Sequence, residues 1–335
     1  MQYRTIGNSG LVTTELALGT MLFGENSKRS TPEEEAKQIM DHYLEAGGNH
    51  IDTANVYAGG KSEEIIGKHL KTKRKGLIYA TKVRFPMGKD HNEQGLSRMH
   101  IIEAVNDSLK RLQTDYIDLL YVHAWDPLTP VQESMRALDD IVTAGKVRYL
   151  GVSNYKAWQV MKAQGLADHL GYHKFIAGQY QYSLVKRDIE FEFTDLFQNE
   201  GIGLVPWGPL GGGFLTGKYS KGKPTSGRIS TTEDHTEESW DRRNTQQNWQ
   251  ILEYVQELAQ QYEATASQVA LAWLRAKSVV SSVIIGARTL EQLKDNLSAA
   301  HLNLKTEQVS HLDELSQLPE MYPYRMLEAY AQRNL

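Results

Sequence analysis

Four polar side chains in this sequence have types and spacing that suit proton transfer: Asp52, Tyr57, Lys82 and His123. Lys82 closes a run of apolar residues, so its ammonium group needs an anionic partner, and Asp52 can supply one. A cation held beside Tyr57 favours phenolate over phenol and is expected to lower the pKa of Tyr57. The phenol would then give and take a proton near neutral pH, while His123 donates a hydrogen bond to the same substrate oxygen.

Each of these residues also has an ordinary structural interpretation. Asp52 could cap a helix, and Tyr57 could be a partly buried aromatic residue. Lys82 could be a surface lysine whose aliphatic stem packs on apolar surface, and His123 could be a structural histidine. The functional interpretation depends on the set, because the four residues fall at or just beyond the predicted ends of three successive strands.

A source of electrons must accompany such a proton donor. The sequence offers no thiol, metal motif or Ser-His-Asp arrangement, which suggests carbonyl chemistry with an external hydride. The segment V-P-W-G-P-L, residues 205–210, would place Trp207 where it could stack on a nicotinamide ring, or simply serve as a core aromatic. The segment V-I-I-G-A-R, residues 283–288, ends a strand and then supplies Arg288 before a helix. The N-terminus of that helix could bind a phosphate.

The elements that must position these residues alternate between strand and helix. Short, mostly apolar strands, each followed sooner or later by a helix, predict a parallel sheet covered by helices. Eight such units fit a closed (β/α)8 barrel, the TIM barrel of the α/β class, in which chemistry collects at the carboxyl ends of the strands. A doubly wound open sheet is the alternative, weakened because no strand leads into a G-x-G-x-x-G turn. The predicted strands span residues 15–21, 50–52, 77–82, 116–123, 147–153, 175–181, 203–207 and 279–286.

Several segments depart from this alternation. An N-terminal β-hairpin is predicted over residues 1–12, and a long, polar loop follows strand 7 over about 208–248. Two extra helices are expected, one at 267–275 and one beginning near Glu307, before an aromatic tail that could fold over the barrel mouth. Since the composition shows no linker, we predict a single domain over 1–335.

The composition excludes several classes of protein. The formal net charge of -4 gives no electrostatic reason to expect nucleic acid or an anionic membrane as a partner. The chain has no cysteine, which excludes disulfides, thiolate nucleophiles and cysteine metal sites. It shows neither the apolar core of a signal peptide nor a run long enough to span a membrane. We therefore expect a cytoplasmic protein with no metal site, acting on a small molecule.

Together these residues resemble the aldo-keto reductase superfamily over nearly the whole chain. The catalytic Asp, Tyr, Lys and His of that family match the four residues above in order and context. The tail Y-P-Y-R-M resembles the Y-P-x-W-M ending of its bacterial and plant branches, with Arg325 in place of the aromatic residue. The matching segments are I-D-T-A-x-x-Y within 48–57, L-G-V-S-N at 150–154, I-I-G-A-R at 284–288 and D-N at 295–296.

The resemblance implies a barrel that binds NADPH or NADP, rather than NAD, without a Rossmann motif. The nicotinamide amide would be bound by Ser153, Asn154 and Gln179, and the ring would stack on Trp207. The pyrophosphate would lie on residues 208–210 and Lys218, with the 2'-phosphoadenosine end on Arg288, Gln292 and Asn296. The complete expected cofactor set is Gly19, Thr20, Met21, Asp52, Ser153, Asn154, Gln179, Trp207, Gly208, Pro209, Leu210, Gly217, Lys218, Gly286, Ala287, Arg288, Gln292 and Asn296.

The expected function is therefore the reversible, NADPH-dependent reduction of an aldehyde or ketone to an alcohol. Two alternatives remain open. The same barrel could be an NADPH-binding regulatory subunit that docks on a membrane protein, although the intact catalytic set argues against binding alone. The other alternative is a lyase that forms a Schiff base with Lys82.

Overall fold

The computed structural model describes residues 1–24, 30–222, 224, 227–231 and 237–331. A two-stranded antiparallel hairpin precedes eight strands that pair in parallel. The hairpin strands are β1 (Tyr3–Thr5) and β2 (Val12–Thr14), and the parallel strands are β3 (Leu16–Gly19), β4 (His50–Asp52), β5 (Ile78–Val83), β6 (Ile117–Val122), β7 (Val147–Ser153), β8 (Phe175–Gln179), β9 (Gly203–Leu204) and β10 (Val283–Gly286).

The two edges of the eight-stranded sheet meet. On one side β10 pairs in parallel with β3. On the other, the backbone N–H of Ser281, just before β10, donates to the carbonyl of Leu204 in β9 at 2.8 Å. Leu204 also forms a parallel bridge with Val280. The sheet is therefore a closed (β/α)8 barrel, as predicted, and the open-sheet alternative is wrong.

Several strands are shorter than predicted, namely β3, β6, β8, β9 and β10. Beyond β8 and β9 the chain pairs only through an isolated bridge between Gln181 and Trp207. Pro206 contributes to this early end of β9, because proline has no N–H to donate to a sheet. Both residues nevertheless stay at the carboxyl end of the barrel, where the predicted site lies.

Helices surround the barrel, and several begin at local signals in the sequence. For example, the Thr265 hydroxyl accepts a hydrogen bond from the Gln268 N–H while the Gln268 side chain accepts one from the Thr265 N–H, a capping box. The helices are α1 (Glu33–Glu45), α2 (Lys61–Leu70), α3 (Arg98–Leu112), α4 (Val131–Thr143), α5 (Ala157–Leu170), α6 (Phe193–Glu200), α7 (Arg228–Thr231), α8 (Trp240–Arg243), α9 (Gln246–Gln261), α10 (Ala266–Arg275), α11 (Leu290–Ser298), α12 (Thr306–Leu315) and α13 (Tyr324–Tyr330).

The N-terminal hairpin closes the end of the barrel opposite the predicted site. Ile6, in its turn, is fully buried against the apolar residues lining the barrel interior. Gly7 has a φ of +54°, and a Cβ there would lie 2.1 Å from the carbonyl oxygen of Gly201. Only glycine fits this close approach, which seats the hairpin on the loop before β9.

The segment after β9 contains more structure than the sequence predicted. The residues from Gly211 to Thr216 form 3-10 turns, and two short helices, α7 and α8, follow. Part of the predicted polar loop, residues 232–235, lies outside the described residues. Both extra helices are confirmed as α10 and α12.

No helix among the described residues is long and apolar enough to cross a membrane. The cytoplasmic location stays a prediction.

Candidate active site

The predicted catalytic residues meet at the carboxyl end of three adjacent strands. Asp52 is the last residue of β4, Lys82 is the next-to-last residue of β5, and His123 directly follows β6. Parallel pairing aligns Asp52 with Ala80 of β5. Because side chains alternate between the two faces of a strand, Lys82 points to the same face as Ala80 and reaches Asp52.

Lys82 is the centre of the group, and its ammonium is fully buried. It donates to the Asp52 carboxylate at 2.6 Å, to the carbonyl of Thr53 at 2.7 Å and to the Tyr57 hydroxyl at 3.3 Å. Burial alone would lower the pKa of Lys82, but Asp52 and Tyr57 outweigh it and raise that pKa above its ordinary value. Lys82 is therefore a permanent cation at physiological pH.

Gln179 fixes the other side of the Asp52 carboxylate from across the barrel. Its side-chain amide donates to the second Asp52 oxygen at 2.7 Å. Both residues are buried, with exposures of 3% and 2%. Asp52 is therefore held between a cation and an amide, and its position is defined by strands rather than by loops.

Tyr57 begins a 3-10 turn between β4 and α2 and is only partly buried. Ala58 and Gly59 next to it have φ values of 49° and 63°, so the chain turns sharply here and returns the ring towards Lys82. Burial raises the pKa of Tyr57 above its ordinary value, although the Lys82 charge opposes that rise. Our expectation of a lowered pKa is wrong for the free protein, because loss of hydration disfavours the phenolate more than one cation favours it.

His123 faces Tyr57 edge to face, with 6.1 Å between the ring centroids. Burial, together with the charges of Lys82 and Arg84, lowers the pKa of His123 to about 2. Its imidazole is therefore neutral, and its Nδ1 is buried without a hydrogen-bond partner among the described residues. A neutral imidazole can donate one hydrogen bond, as the predicted role requires.

The residues expected to bind the nicotinamide amide lie beside this group. The Ser153 hydroxyl donates to the carbonyl of Gln179 at 2.7 Å. Asn154 is exposed, has a φ of 54°, and its amide donates to the carbonyl of His123 at 2.9 Å. Trp207 is partly buried against the apolar residues of β3 and β10. Three strands, β7, β8 and β9, thus carry the expected nicotinamide contacts.

The expected pyrophosphate segment contains glycines in the left-handed conformation. Gly208 and Gly217 have φ values of +66° and +75°, and the Gly217 N–H donates to the carbonyl of Phe214 at 3.2 Å. Lys218 lies over the segment, because a Cβ on Gly213 would be 2.9 Å from its ammonium nitrogen.

Two further expected cofactor residues follow β3. Met21 is exposed, whereas Thr20 is fully buried and its hydroxyl donates to the carbonyl of Asp52 at 2.9 Å. Thr20 therefore supports the strand that carries Asp52.

The expected adenosine end lies where β10 meets α11. Arg288 is exposed, and its side chain has no hydrogen bond or ion pair with any described residue. In particular, it forms no ion pair with Glu291 in the first turn of α11. Asn296 is buried and donates to the carbonyl of Gly286 at 3.3 Å, while Gln292 accepts from the Arg288 N–H at 2.9 Å.

Two backbone donors at the N-terminus of α11 are bonded to side chains. The Leu290 N–H donates to the Glu35 carboxylate at 2.7 Å, and the Gln292 N–H donates to the Thr289 hydroxyl at 3.3 Å. These backbone donors already have partners, one of them an anion. That the helix N-terminus shares a phosphate with Arg288 stays a prediction, and the Arg288 guanidinium has no partner among the described residues.

Comparison with known families decides the identity of this barrel. The model of the aldo/keto reductase family matches residues 15–317. The chain belongs to the aldo/keto reductase family.

Three relatives of this aldo/keto reductase chain match it along almost their full length. A Schizosaccharomyces pombe protein named as an aryl-alcohol dehydrogenase is 36% identical, over 93% of this chain and 95% of its own. A protein of Arabidopsis thaliana named as a voltage-gated potassium channel subunit beta is also 36% identical, over 97% and 98%. An uncharacterized oxidoreductase of Bacillus subtilis is 36% identical, over 97% and 100%.

Some functional contacts in this aldo/keto reductase had no signal in the sequence. The carbonyl of Thr53 accepts from Lys82, but a backbone oxygen is present at every residue. Ser62 in α2 bonds to the hydroxyls of Thr20 and Thr53, at 2.8 and 2.9 Å, and ties β3 to the catalytic turn. A Ser at the start of a helix is too common a pattern to reveal this.

The site is built for proton transfer rather than for covalent attack by lysine. A nucleophilic lysine needs a free, uncharged amine, which requires a lowered pKa. Lys82 instead makes three hydrogen bonds and has a raised pKa. The Schiff-base alternative is therefore disfavoured.

Proposed function

We propose that this aldo/keto reductase reduces an aldehyde or ketone to an alcohol with NADPH, and that Tyr57 supplies the proton. The observation that carries the proposal is the buried Lys82, 2.6 Å from Asp52 and 3.3 Å from the Tyr57 hydroxyl. A lysine held in this way stabilises negative charge on Tyr57 at the moment the proton leaves. The reverse reaction, oxidation of an alcohol, uses the same contacts.

In this mechanism each of the four residues has one task. Tyr57 donates its proton to the carbonyl oxygen as negative charge develops there. Lys82 stabilises the phenolate that remains, and Asp52 keeps Lys82 charged and in place. His123, which is neutral, orients the substrate oxygen by donating a hydrogen bond. The raised pKa of Tyr57 keeps the hydroxyl protonated until the reaction demands its proton.

The residues of the chain suit nicotinamide adenine dinucleotide phosphate. Arg288 is an exposed guanidinium without a partner among the described residues, suited to a 2'-phosphate. The left-handed glycines at 208 and 217 and the ammonium of Lys218 suit a pyrophosphate. Trp207 would stack on the nicotinamide, and Asn154 and Gln179 would bind its amide. When bound, this group supplies the hydride for the reaction.

The proposal is tested by NADPH oxidation with benzaldehyde, followed by absorbance and by detection of benzyl alcohol. Aromatic aldehydes are a reasonable first substrate because one relative is named as an aryl-alcohol dehydrogenase. NADPH deuterated at the transferable position should deliver deuterium to the alcohol carbon. Turnover without deuterium in the product would contradict direct hydride transfer.

The second candidate is a regulatory subunit that binds NADPH and docks on a membrane protein. It is favoured by the relatives named as potassium channel beta subunits, which are 36% and 35% identical to this chain. Measurements of NADPH binding and NADPH oxidation distinguish the two functions. Tight NADPH binding without oxidation of NADPH by any member of a panel of carbonyl compounds would favour the regulatory role, whereas catalytic turnover would establish the reductase.

A further inference from the structure

Arg84 is a cation at the mouth of the barrel that the proposed mechanism does not use. It directly follows β5, two residues after Lys82. Its side chain makes no hydrogen bond or ion pair with any residue in the described part of the chain, and its Nε is buried without a partner. An arginine nitrogen in that state is costly, since a buried polar group normally has a partner.

The backbone at Arg84 is also held in an unusual conformation. Its φ is 148°, a value that residues with a side chain rarely adopt. Such strain persists only where the surrounding structure enforces it. Here the Gly95 N–H donates to the Arg84 carbonyl at 2.8 Å. The fold thus accepts strain at the residue that places a guanidinium beside the catalytic group.

The Arg84 charge helps to lower the pKa of Asp126, but the two side chains form no ion pair. Asp126 accepts hydrogen bonds from the Leu96 N–H at 2.8 Å, the Thr129 hydroxyl at 2.6 Å and the Leu128 N–H at 3.0 Å. These three donors already satisfy both oxygens of its carboxylate. Arg84 therefore remains available to an anion from outside the chain.

Arg84 lies within reach of a substrate at His123. The guanidinium carbon is 5.3 Å from the centre of the Phe85 ring, and that ring is 4.6 Å from the His123 ring. On the neighbouring loops, the rings of Trp125 and Tyr155 are 5.0 Å apart. A ligand whose carbonyl oxygen contacts His123 would thus have the aromatic ring of Phe85 and the Arg84 cation nearby.

We propose that Arg84 binds a carboxylate carried by the carbonyl substrate. The enzyme would then prefer aldehydes or ketones with an apolar, aromatic body that bears a carboxylate. The planar guanidinium can donate two parallel hydrogen bonds to a carboxylate, which gives both affinity and orientation. This inference depends on the proposed reductase function and names the substrate class for the same site.

The test compares each of the three carboxybenzaldehyde isomers with its methyl ester, which has the same ring but no charge. We expect the isomer whose geometry fits to have a kcat/KM about 10–100-fold above that of its ester, the range of one charge-assisted contact. Arg84→Met should abolish this ratio and Arg84→Lys should restore part of it. Arg136→Gln is the matched control, because Arg136 is an exposed arginine paired with Asp140 on the outer surface; its ratio should equal that of wild type.

A binding measurement keeps the inference testable if turnover is absent. Calorimetry with NADP present should give a lower Kd for the carboxybenzyl alcohol than for its methyl ester, and Arg84→Met should remove that difference. Equal values for acid and ester in wild type, or a ratio unchanged in Arg84→Met, would overturn the role of Arg84. Stronger discrimination with formylphenyl phosphate than with any carboxylate would overturn the assignment to a carboxylate. Failure of all aldehydes to be reduced would instead contradict the proposed function.

Discussion

At the amino-terminal end of the barrel, the buried carboxylate of Asp118 accepts hydrogen bonds from Arg148 at 3.1 Å and from the Tyr79 N–H at 2.9 Å, and it pairs with Arg74. At the carboxyl end, Asp52 and Lys82 form a buried ion pair with a distance of 2.6 Å. The neighbours of the two ion pairs differ, because near Lys82 two side-chain nitrogens of basic residues are buried without partners in the described part of the chain. These are His123 Nδ1 and Arg84 Nε.

The difference follows from what each end must do. Each oxygen of the Asp118 carboxylate already accepts a hydrogen bond from an arginine, and these bonds stabilise the fold. Near Lys82, the unmet donors cost stability and are retained where a ligand can complete them. This division between a stabilising face and a reactive face is the one expected of a TIM barrel.

Removing one ion from each end should separate the two roles most strongly. Lys82→Met leaves the Asp52 carboxylate buried without its cation, so we expect a loss of about 3–5 kcal/mol in unfolding free energy. Turnover per folded molecule should also fall, by roughly 10²–10⁴-fold, because Tyr57 loses its stabilising charge. Asp118→Asn, which keeps the size of the side chain, should cause a similar loss of stability.

Turnover per folded molecule should stay within about twofold of wild type in Asp118→Asn, because Asp118 does not reach the mouth. Urea unfolding and the rate of NADPH oxidation, normalised to folded protein, provide both measurements. A large loss of turnover in Asp118→Asn would contradict the division between the two ends.

The cofactor contact predicted for Arg288 should have a smaller effect, because it concerns one exposed side chain. In Arg288→Ala we expect the Kd for NADPH to rise about 10–100-fold, the value of one charge-assisted hydrogen bond. The Kd for NADH, which lacks the 2'-phosphate, should hardly change. Fluorescence titration at two salt concentrations measures this, and equal losses for both cofactors would mean that Arg288 is structural.

His50, at the start of β4, should affect stability and not turnover. Burial lowers its pKa to about 4 from an ordinary 6.5. Between these values the unfolded chain binds a proton that the folded chain does not, so stability falls as pH decreases below 6.5. From pH 7.5 to 5 we expect a loss of about 2 kcal/mol from this residue. In His50→Gln the loss measured by urea unfolding should be smaller by that amount; an unchanged pH dependence would contradict the assignment.

The sequence predicted the barrel and the catalytic group because their signals are local. Alternating strands and helices, and polar residues at strand ends, can be read within short segments. Asp52, Lys82 and His123 meet because adjacent parallel strands carry them, and that register follows from the fold.

Features that depend on distant contacts could not be predicted. The N-terminus of α11 is occupied by Glu35, a residue 255 positions away from Leu290. The rise in the pKa of Tyr57 depends on how much water the folded chain removes, and the spacing of residues does not encode that. The strained φ of Arg84 likewise has no signal in its residue type, since arginine does not favour positive φ values.

The central claim is that Tyr57 is the proton donor, and deletion of single hydroxyl groups at the two ends tests it most directly. Tyr57→Phe should lower kcat for carbonyl reduction by roughly 10²–10⁴-fold, with little change in the Kd for NADPH. Tyr79→Phe is the matched control, because the Tyr79 hydroxyl is buried without a partner among the described residues and its ring lies beside Arg74. It should keep kcat within about twofold of wild type, since removal of an unpaired hydroxyl is nearly neutral. Turnover of Tyr57→Phe near that of Tyr79→Phe would contradict the account.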